Sequence, residues 1–290
     1  MICTLCPRNC GAERTAEHGS GFCGMPAGLR VARAMLHQWE EPPISGTNGA
    51  GTVFFSGCTL RCCYCQNGSI SVGGHGKDIS TARLREIFDE LISRGAHNIE
   101  LVTPTHFLPW ILPALEPKLP VPVVYNCGGY EKVDTLRQLE GKVDIYLPDL
   151  KYADGALAKA LSGAEDYFPT ACGAIREMFR QVGRPVYDEN GLMKQGVILR
   201  HLVLPGYLNN TRQVLDWIAE TFAPGDVAMS LMSQYTPPAG MTGRLARRVT
   251  AAEYRAAVTY MRNCGIEDGF VQERTSAEEA YTPAFDGTGV

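Results

Sequence analysis

The chain has no long apolar run, no block of like charge, and no basic segment followed by an apolar one at its start. The first absence removes a membrane-spanning helix, which needs about 20 mostly apolar residues in a row. The second makes nucleic acid an unexpected partner. Lys and Arg number 27 against 31 Asp and Glu, a net charge of −4, whereas a phosphate backbone is gripped by concentrated cations. The third leaves Met1-Ile2-Cys3-Thr4-Leu5-Cys6-Pro7 without the form of a secretory signal. We therefore expect no membrane partner, no nucleic acid and a cytoplasmic location.

Cysteine is plentiful: 11 in 290 residues. In a secreted protein that number would suggest disulfides. Here the cysteines cluster at ligand-like spacings and no export signal accompanies them, which fits metal ligands. Cys58, Cys62 and Cys65 follow a short apolar strand, Thr52–Ser56, in C-x3-C-x2-C spacing. Three thiolates on one tight loop can hold three irons of a [4Fe–4S] cube and leave the fourth iron open to a small molecule. Plant-type ferredoxins use C-x4-C-x2-C plus a distant fourth cysteine, which closes the cluster. Zinc, the competing metal, wants four closed ligands. Cys63 lies inside the loop and complicates the count, although its side chain is expected to point away. A second set, Cys3, Cys6, Cys10 and Cys23, can close a zinc tetrahedron or a complete Fe–S cube, and its spacing decides neither; small loop-rich segments often fold around a metal, which favours zinc, and a labile redox pair is a third reading. Cys127, Cys172 and Cys264 have no ligand spacing and read as packed.

The stretch to about Gln38 shows little periodicity and reads as a small metal-organised appendage. Glu40–Gly51 is rich in Pro and Gly and reads as a connector. Strands then alternate with helices. After Thr52–Ser56, apolar runs mark Asn98–Val102, Val121–Tyr125, Val143–Leu147, Val197–Val203 and Val227–Leu231. Leu84, Ile87, Phe88, Leu91 and Ile92 share a helical face that ends at Gly95. The 153–182 stretch holds two helices. Val214, Trp217 and Ile218 face inward on another, and Thr250-x-x-Glu253 is a capping box opening the last. Continuous apolar strands between helices imply a parallel sheet covered by helices. Either an open doubly wound sheet or a partial barrel satisfies the six units, and both place ligands at the carboxyl ends of strands. The tail from Thr275 carries Tyr281 and Phe285 among polar residues and either docks back or stays mobile.

The cluster loop, Gly57-Cys58-Thr59-Leu60-Arg61-Cys62 through Tyr64-Cys65-Gln66-Asn67, resembles that of radical S-adenosylmethionine (SAM) enzymes. It is similar in particular to pyruvate formate-lyase activating enzyme homologues with an added N-terminal cysteine motif. Stretches like those of that branch recur at 97–107, Val124-Tyr125-Asn126, 144–152, 200–206 and 232–235. The resemblance implies an α/β fold: a partial (β/α)6 TIM-like barrel at 46–290 and a small Cys-rich metal-binding extension and connector at 1–45. It also implies a [4Fe–4S] cluster whose open iron chelates SAM, with reductive cleavage to methionine and a 5′-deoxyadenosyl radical. That radical would abstract hydrogen from a glycine of a partner glycyl radical enzyme, and a flavodoxin- or ferredoxin-type protein would supply the electron. The protein is then expected to be oxygen-sensitive.

Residue by residue, the resemblance puts Tyr64 near the adenine. Thr103 and Thr105 follow the second strand, where activases carry Gly-Gly-Glu for the SAM amino group; here the turn is Thr-Pro-Thr-His, a departure that makes His106 either a contact or a helix-start residue. Asn126 is a candidate for the ribose or carboxylate. Asp149 and Lys151 match an Asp-Leu-Lys segment that helps hold SAM. Arg200 and His201 point to opposite faces of one strand, and Arg200 is the one expected inside. Gln234 or Tyr235 stands where activases have His. Two alternatives remain. One is a radical SAM catalyst acting on another peptide or small molecule; the other is a non-catalytic Fe–S electron carrier or redox sensor, which needs a fourth cysteine such as Cys63 or Cys127.

Overall fold

The computed structural model describes residues 2–271 and 283–290. Its sheet runs through strands β1 (Leu29–His37), β2 (Ala50–Phe55), β3 (Lys77–Ile79), β4 (Ile99–Val102), β5 (Val123–Cys127) and β6 (Ile145–Pro148). It continues through β7 (Val186–Tyr187), β8 (Met193–Leu202), β9 (Ala228–Met232) and β10 (Gly269–Val271). The spatial order is β10-β9-β8-β6-β5-β4-β2-β1-β3, with β7 paired to β8. From β2 through β10 every neighbour along this order is parallel, while β1 pairs antiparallel with both β2 and β3. The six strands β2, β4, β5, β6, β8 and β9 are the six read from the sequence, within a few residues at their ends. Together they build the expected partial barrel.

The parallel strands are apolar along their length because both faces are covered. All six residues of β2 and all five of β5 and of β9 are buried. Helices pack outside them, each with one apolar stripe. Leu84, Ile87, Phe88 and Leu91 are buried on the helix Thr81–Ser93, whose N-cap Ser80 accepts from Arg83 N–H. The 153–182 stretch does hold two helices, Gly155–Ser162 and Tyr167–Val182. Gly163, in the left-handed conformation, closes the first of them. Val214 and Ile218 are buried on Leu208–Thr221, with Trp217 packed at the core's edge. The capping box at Thr250 and Glu253 is formed and starts Ala251–Asn263.

Two pieces differ from the sequence reading. Leu29–His37, within the stretch read as an unperiodic appendage, is a nine-residue strand of the main sheet. Its alternation is masked because both neighbours and the chain end cover it. Gly287 and Thr288 pair with Ala32 and Ala34, and Phe285 meets Phe54 edge-on at 5.4 Å. The described end of the tail therefore docks back; Tyr281 lies outside the described residues. The Pro/Gly-rich connector contains a short helix, Pro42–Ser45, and runs into β2. Among the described residues, no helix is long and apolar enough to cross a membrane.

Candidate iron–sulfur and SAM site

The cysteine loop leaves β2 at its carboxyl end. Gly57 has φ +77, and a Cβ there would stand 2.4 Å from Met25 Cγ and 3.0 Å from the Cys23 carbonyl oxygen. Only glycine admits that approach. Arg61 also has positive φ, +51. Its guanidinium holds the strained turn by donating to Phe22 O at 2.9 Å and Val72 O at 3.0 Å. The chain then reverses through a bond from Cys65 N–H to Cys62 O, 3.0 Å. These turns bring Cys58, Cys62 and Cys65 to one cavity of about 510 Å³. Cys63 is exposed and does not line it.

The sulfurs have donors aimed at them. Leu60 N–H reaches Cys58 Sγ at 3.3 Å, and the Ser162 hydroxyl donates to Cys62 Sγ at 3.0 Å. Ser162 contacts Tyr152 at 2.7 Å, and Tyr152 contacts Tyr64 at 2.7 Å, so a buried hydroxyl chain joins the loop's aromatic residue to a cysteine. Burial pushes the Cys58 thiol up to about 12, with the neighbouring Cys62 adding to it; burial likewise raises Cys65. Protonated, the three thiols are uncharged; an Fe–S group would displace those protons. Three adjacent thiols, hydrogen-bond donors on two of them and one cavity wall fit a cluster held by three ligands.

Across the cavity stands a polar wall from the ends of β5, β6 and β8. Arg200 donates to Asp149 Oδ1 at 2.9 Å, Glu40 Oε2 at 3.0 Å and Asn126 Oδ1 at 2.5 Å. Asn126 donates to Glu100 Oε1 at 2.6 Å, and Lys151 Nζ donates to Asp149 Oδ2 at 2.5 Å. Burial would raise Asp149, but Arg200 and Lys151 outweigh it and hold its carboxyl below the usual range. Glu40 goes the other way: burial, then the Glu100 charge, lifts it well above ordinary carboxyls. Glu41 Oε2 is buried in the same wall with no hydrogen-bond partner. Paired carboxylates, a guanidinium and an ammonium suit a ligand that is itself zwitterionic.

Of the residues singled out in the sequence, Cys58, Cys62, Tyr64, Cys65, Thr103, Asn126, Asp149, Lys151, Arg200, Gln234 and Tyr235 all line this cavity. Thr103 does so from a left-handed backbone, φ +58. Thr105 does not line it. It is buried, and its hydroxyl donates to Glu131 Oε1 at 2.8 Å. His106 also lies outside the cavity, its Nε2 meeting Ser56 O at 2.7 Å; burial brings it down to about 4. His201 faces the helix layer against Leu150 O and Thr211, so Arg200 is the inward residue of the pair. Cys127 lines the cavity, and near it the buried Glu131 carboxyl, which accepts from Thr105 and Tyr125, is raised by burial to about 8.

Sequence reasoning missed Glu40, Glu41, Glu100, Tyr152 and Ser162. Glu100 offered a signal, a lone acid inside the apolar run Ile99–Val102; the others offered none. The four N-terminal cysteines lie outside the cavity.

Residues 44–103 match the family described as "4Fe-4S single cluster domain", a span that holds all three loop cysteines. An uncharacterized protein of Methanocaldococcus jannaschii is 29% identical over 245 residues, covering 81% of this chain and 66% of that protein. Streptococcus suis SuiB bound to precursor peptide SuiA is similar in structure, with TM-score 0.54 at 12% identity, over 75% of this chain and 47% of that one. HydG, a maturase of the [FeFe]-hydrogenase, gives TM-score 0.52 at 13% identity, over 78% and 52%. The chain thus spans just under two thirds of the curated relative and about half of these structures. These comparisons show a single-cluster [4Fe–4S] segment on a fold shared with SuiB and HydG, which is the fold the resemblance of the cysteine loop implies.

Proposed function

We propose that the protein is a radical SAM enzyme that activates a glycyl radical enzyme by abstracting hydrogen from a backbone glycine. The observation that supports this most is the cavity itself: Cys58, Cys62 and Cys65 on one wall, Asn126, Asp149, Lys151 and Arg200 on the other. Together a [4Fe–4S] group and SAM supply one-electron cleavage of the sulfonium bond. The chain's own residues do the rest. Cys58, Cys62 and Cys65 hold three irons, and Ser162 fixes the Cys62 sulfur. Tyr64, buried between Tyr152 and Tyr235, offers a ring face to an adenine. Lys151 and Arg200 balance a carboxylate; Glu40, Glu41 and Thr103 offer acceptors to an amino group.

A second reading replaces the glycine with another peptide. SuiB, a protein of similar fold, is seen with its precursor peptide, and the Thr-Pro-Thr-His turn departs from the activase pattern. The electron-carrier reading has less support, because Cys63, one of its candidate fourth ligands, is exposed and lies outside the cavity. In either enzymatic reading a cytoplasmic, oxygen-free setting and a flavodoxin- or ferredoxin-type reductant would serve the reaction.

The test is SAM cleavage. Protein reconstituted without oxygen, reduced with dithionite and given SAM should form 5′-deoxyadenosine, and Cys62→Ala should form none. No product from the parent protein, with an EPR signal indifferent to SAM, would overturn the proposal. Adding a candidate glycyl radical enzyme and reading its glycyl EPR signal separates the two enzymatic readings.

A further inference from the structure

Beyond the cavity, the densest unassigned chemistry lies in the N-terminal lobe. Cys3 and Cys6 are buried, Cys23 is half-buried and Cys10 is exposed; all four are free thiols. The lobe folds back on itself. Cys3 N–H donates to Ala12 O at 2.9 Å, and Ile2 and Arg14 form bridges to Glu13 and Gly19. A Cβ on Gly21 would stand 3.2 Å from Cys10 Sγ, which sets Cys10 beside the turn that leads to Cys23. Cys6 lies within charge-interaction range of Cys3 and Cys23, and Cys23 within that of Cys3 and Cys10. The buried Arg14 guanidinium reaches Cys3 Sγ at 3.9 Å and also acts on the Cys23 thiol. Four thiols and a buried cation thus share one small lobe.

A single zinc ion would draw its sulfurs to within about 4 Å of one another, given Zn–S bonds of about 2.3 Å. Among the described residues, no three Cys, His, Asp or Glu side chains converge in a way that would hold one metal ion. Cys58, Cys62 and Cys65 form no such single-ion group either, and they lie in the segment that matches a [4Fe–4S] domain. A cube spreads its thiolates because each binds a different iron. We propose that Cys3, Cys6, Cys10 and Cys23 hold a second [4Fe–4S] cluster that feeds electrons to the loop cluster.

Four thiolates close the cube, so it carries electrons and offers no open iron. The lobe is wired to the loop. Arg8, between Cys6 and Cys10, donates to Thr59 O at 2.8 Å and Ser162 O at 2.6 Å. The Ser162 hydroxyl is the group that donates to Cys62 Sγ. The Cys23 carbonyl presses on Gly57, next to Cys58. The exposed Cys10 gives a carrier protein access to the cluster's edge. One electron passes from a reduced carrier of the flavodoxin or ferredoxin class, which is oxidised, to the N-terminal cluster. That cluster is reoxidised as it reduces the loop cluster by one electron, and no bond or proton changes. The relay role rests on the function proposed above; the binding of a second cluster does not.

Metal content tests the site. Parent protein, Cys10→Ala, the double variant Cys10→Ala/Cys23→Ala and Cys62→Ala are reconstituted without oxygen and assayed for iron, sulfide and zinc. The parent should hold about eight irons per chain, and the double variant and Cys62→Ala about four each, as two cubes require. SAM should perturb the EPR signal left in the double variant but not the one left in Cys62→Ala. About four irons with one zinc in the parent, or four irons alone, would overturn the second cluster. If SAM perturbs neither signal while eight irons are found, the radical SAM reading fails and the cluster stands. For the relay, the ratio of SAM cleavage with reduced flavodoxin to cleavage with dithionite should fall severalfold from the parent to Cys10→Ala. Equal activity with the two reductants, or equal loss, would overturn the relay.

Discussion

Replacing Arg200 with Met tests whether the polar wall of the cavity is held by one guanidinium. Arg200 satisfies Asp149, Glu40 and Asn126 at once, and its side chain is only 12% exposed. Asp149 would keep Lys151, whereas Glu40 would lose the cation that now opposes its burial. Removing one partner of a buried ion pair costs about 3–5 kcal/mol. Lys151 and protonation of Glu40 soften the loss, so we expect about 3 kcal/mol. With a urea slope of about 3 kcal/mol/M for a chain of this size, the midpoint should fall by about 1 M. The pH dependence has a definite sign. Asp149 is held below 3.8 when folded; it contributes stability above that value, which is lost as pH falls through its folded pKa. Glu40 is held above 4.5; it costs stability as pH rises past that value, and costs more without Arg200. The gap between parent and variant should therefore be wider at about pH 8 than at about pH 5. Urea unfolding followed by far-UV circular dichroism reads both numbers. A midpoint unchanged by the substitution, or a gap that grows toward acid, would refute the reasoning. Iron content should be unaltered, since Arg200 touches none of the loop cysteines.

Ser162→Ala removes the hydroxyl that donates to Cys62 Sγ. Fewer hydrogen bonds to a cluster's sulfurs leave its reduced, more negative state less stabilised, so the potential of the loop cluster should become more negative at unchanged iron content. A redox titration followed by EPR checks this. Gly57→Ala forces a Cβ against Met25 and the Cys23 carbonyl at positive φ. It should cost about 1–3 kcal/mol and loosen the N-terminal lobe from the cluster loop, measured as faster hydrogen exchange in 20–25 and 57–62.

The sequence by itself determined the barrel strands, because a parallel strand covered on both faces must be apolar throughout, and runs such as Thr52–Ser56 announce that directly. It also determined the cluster loop, since three thiolates must sit close along the chain to reach one cube from one turn. The capping box at Thr250 was legible for the same reason: both partners lie within one helical turn. Tertiary structure decided what depends on distant contacts. Leu29–His37 becomes a strand because β2 and the docked chain end cover it, and nothing local records that. Thr103 and Thr105 are two residues apart, yet one lines the cavity and the other is taken up by Glu131 on the far side of the turn. Arg200 was expected to face inward, but its partners Glu40, Asn126 and Asp149 come from three other parts of the chain. A sequence shows which side chains carry charge, and only the packed barrel brings those charges within hydrogen-bond range of one another.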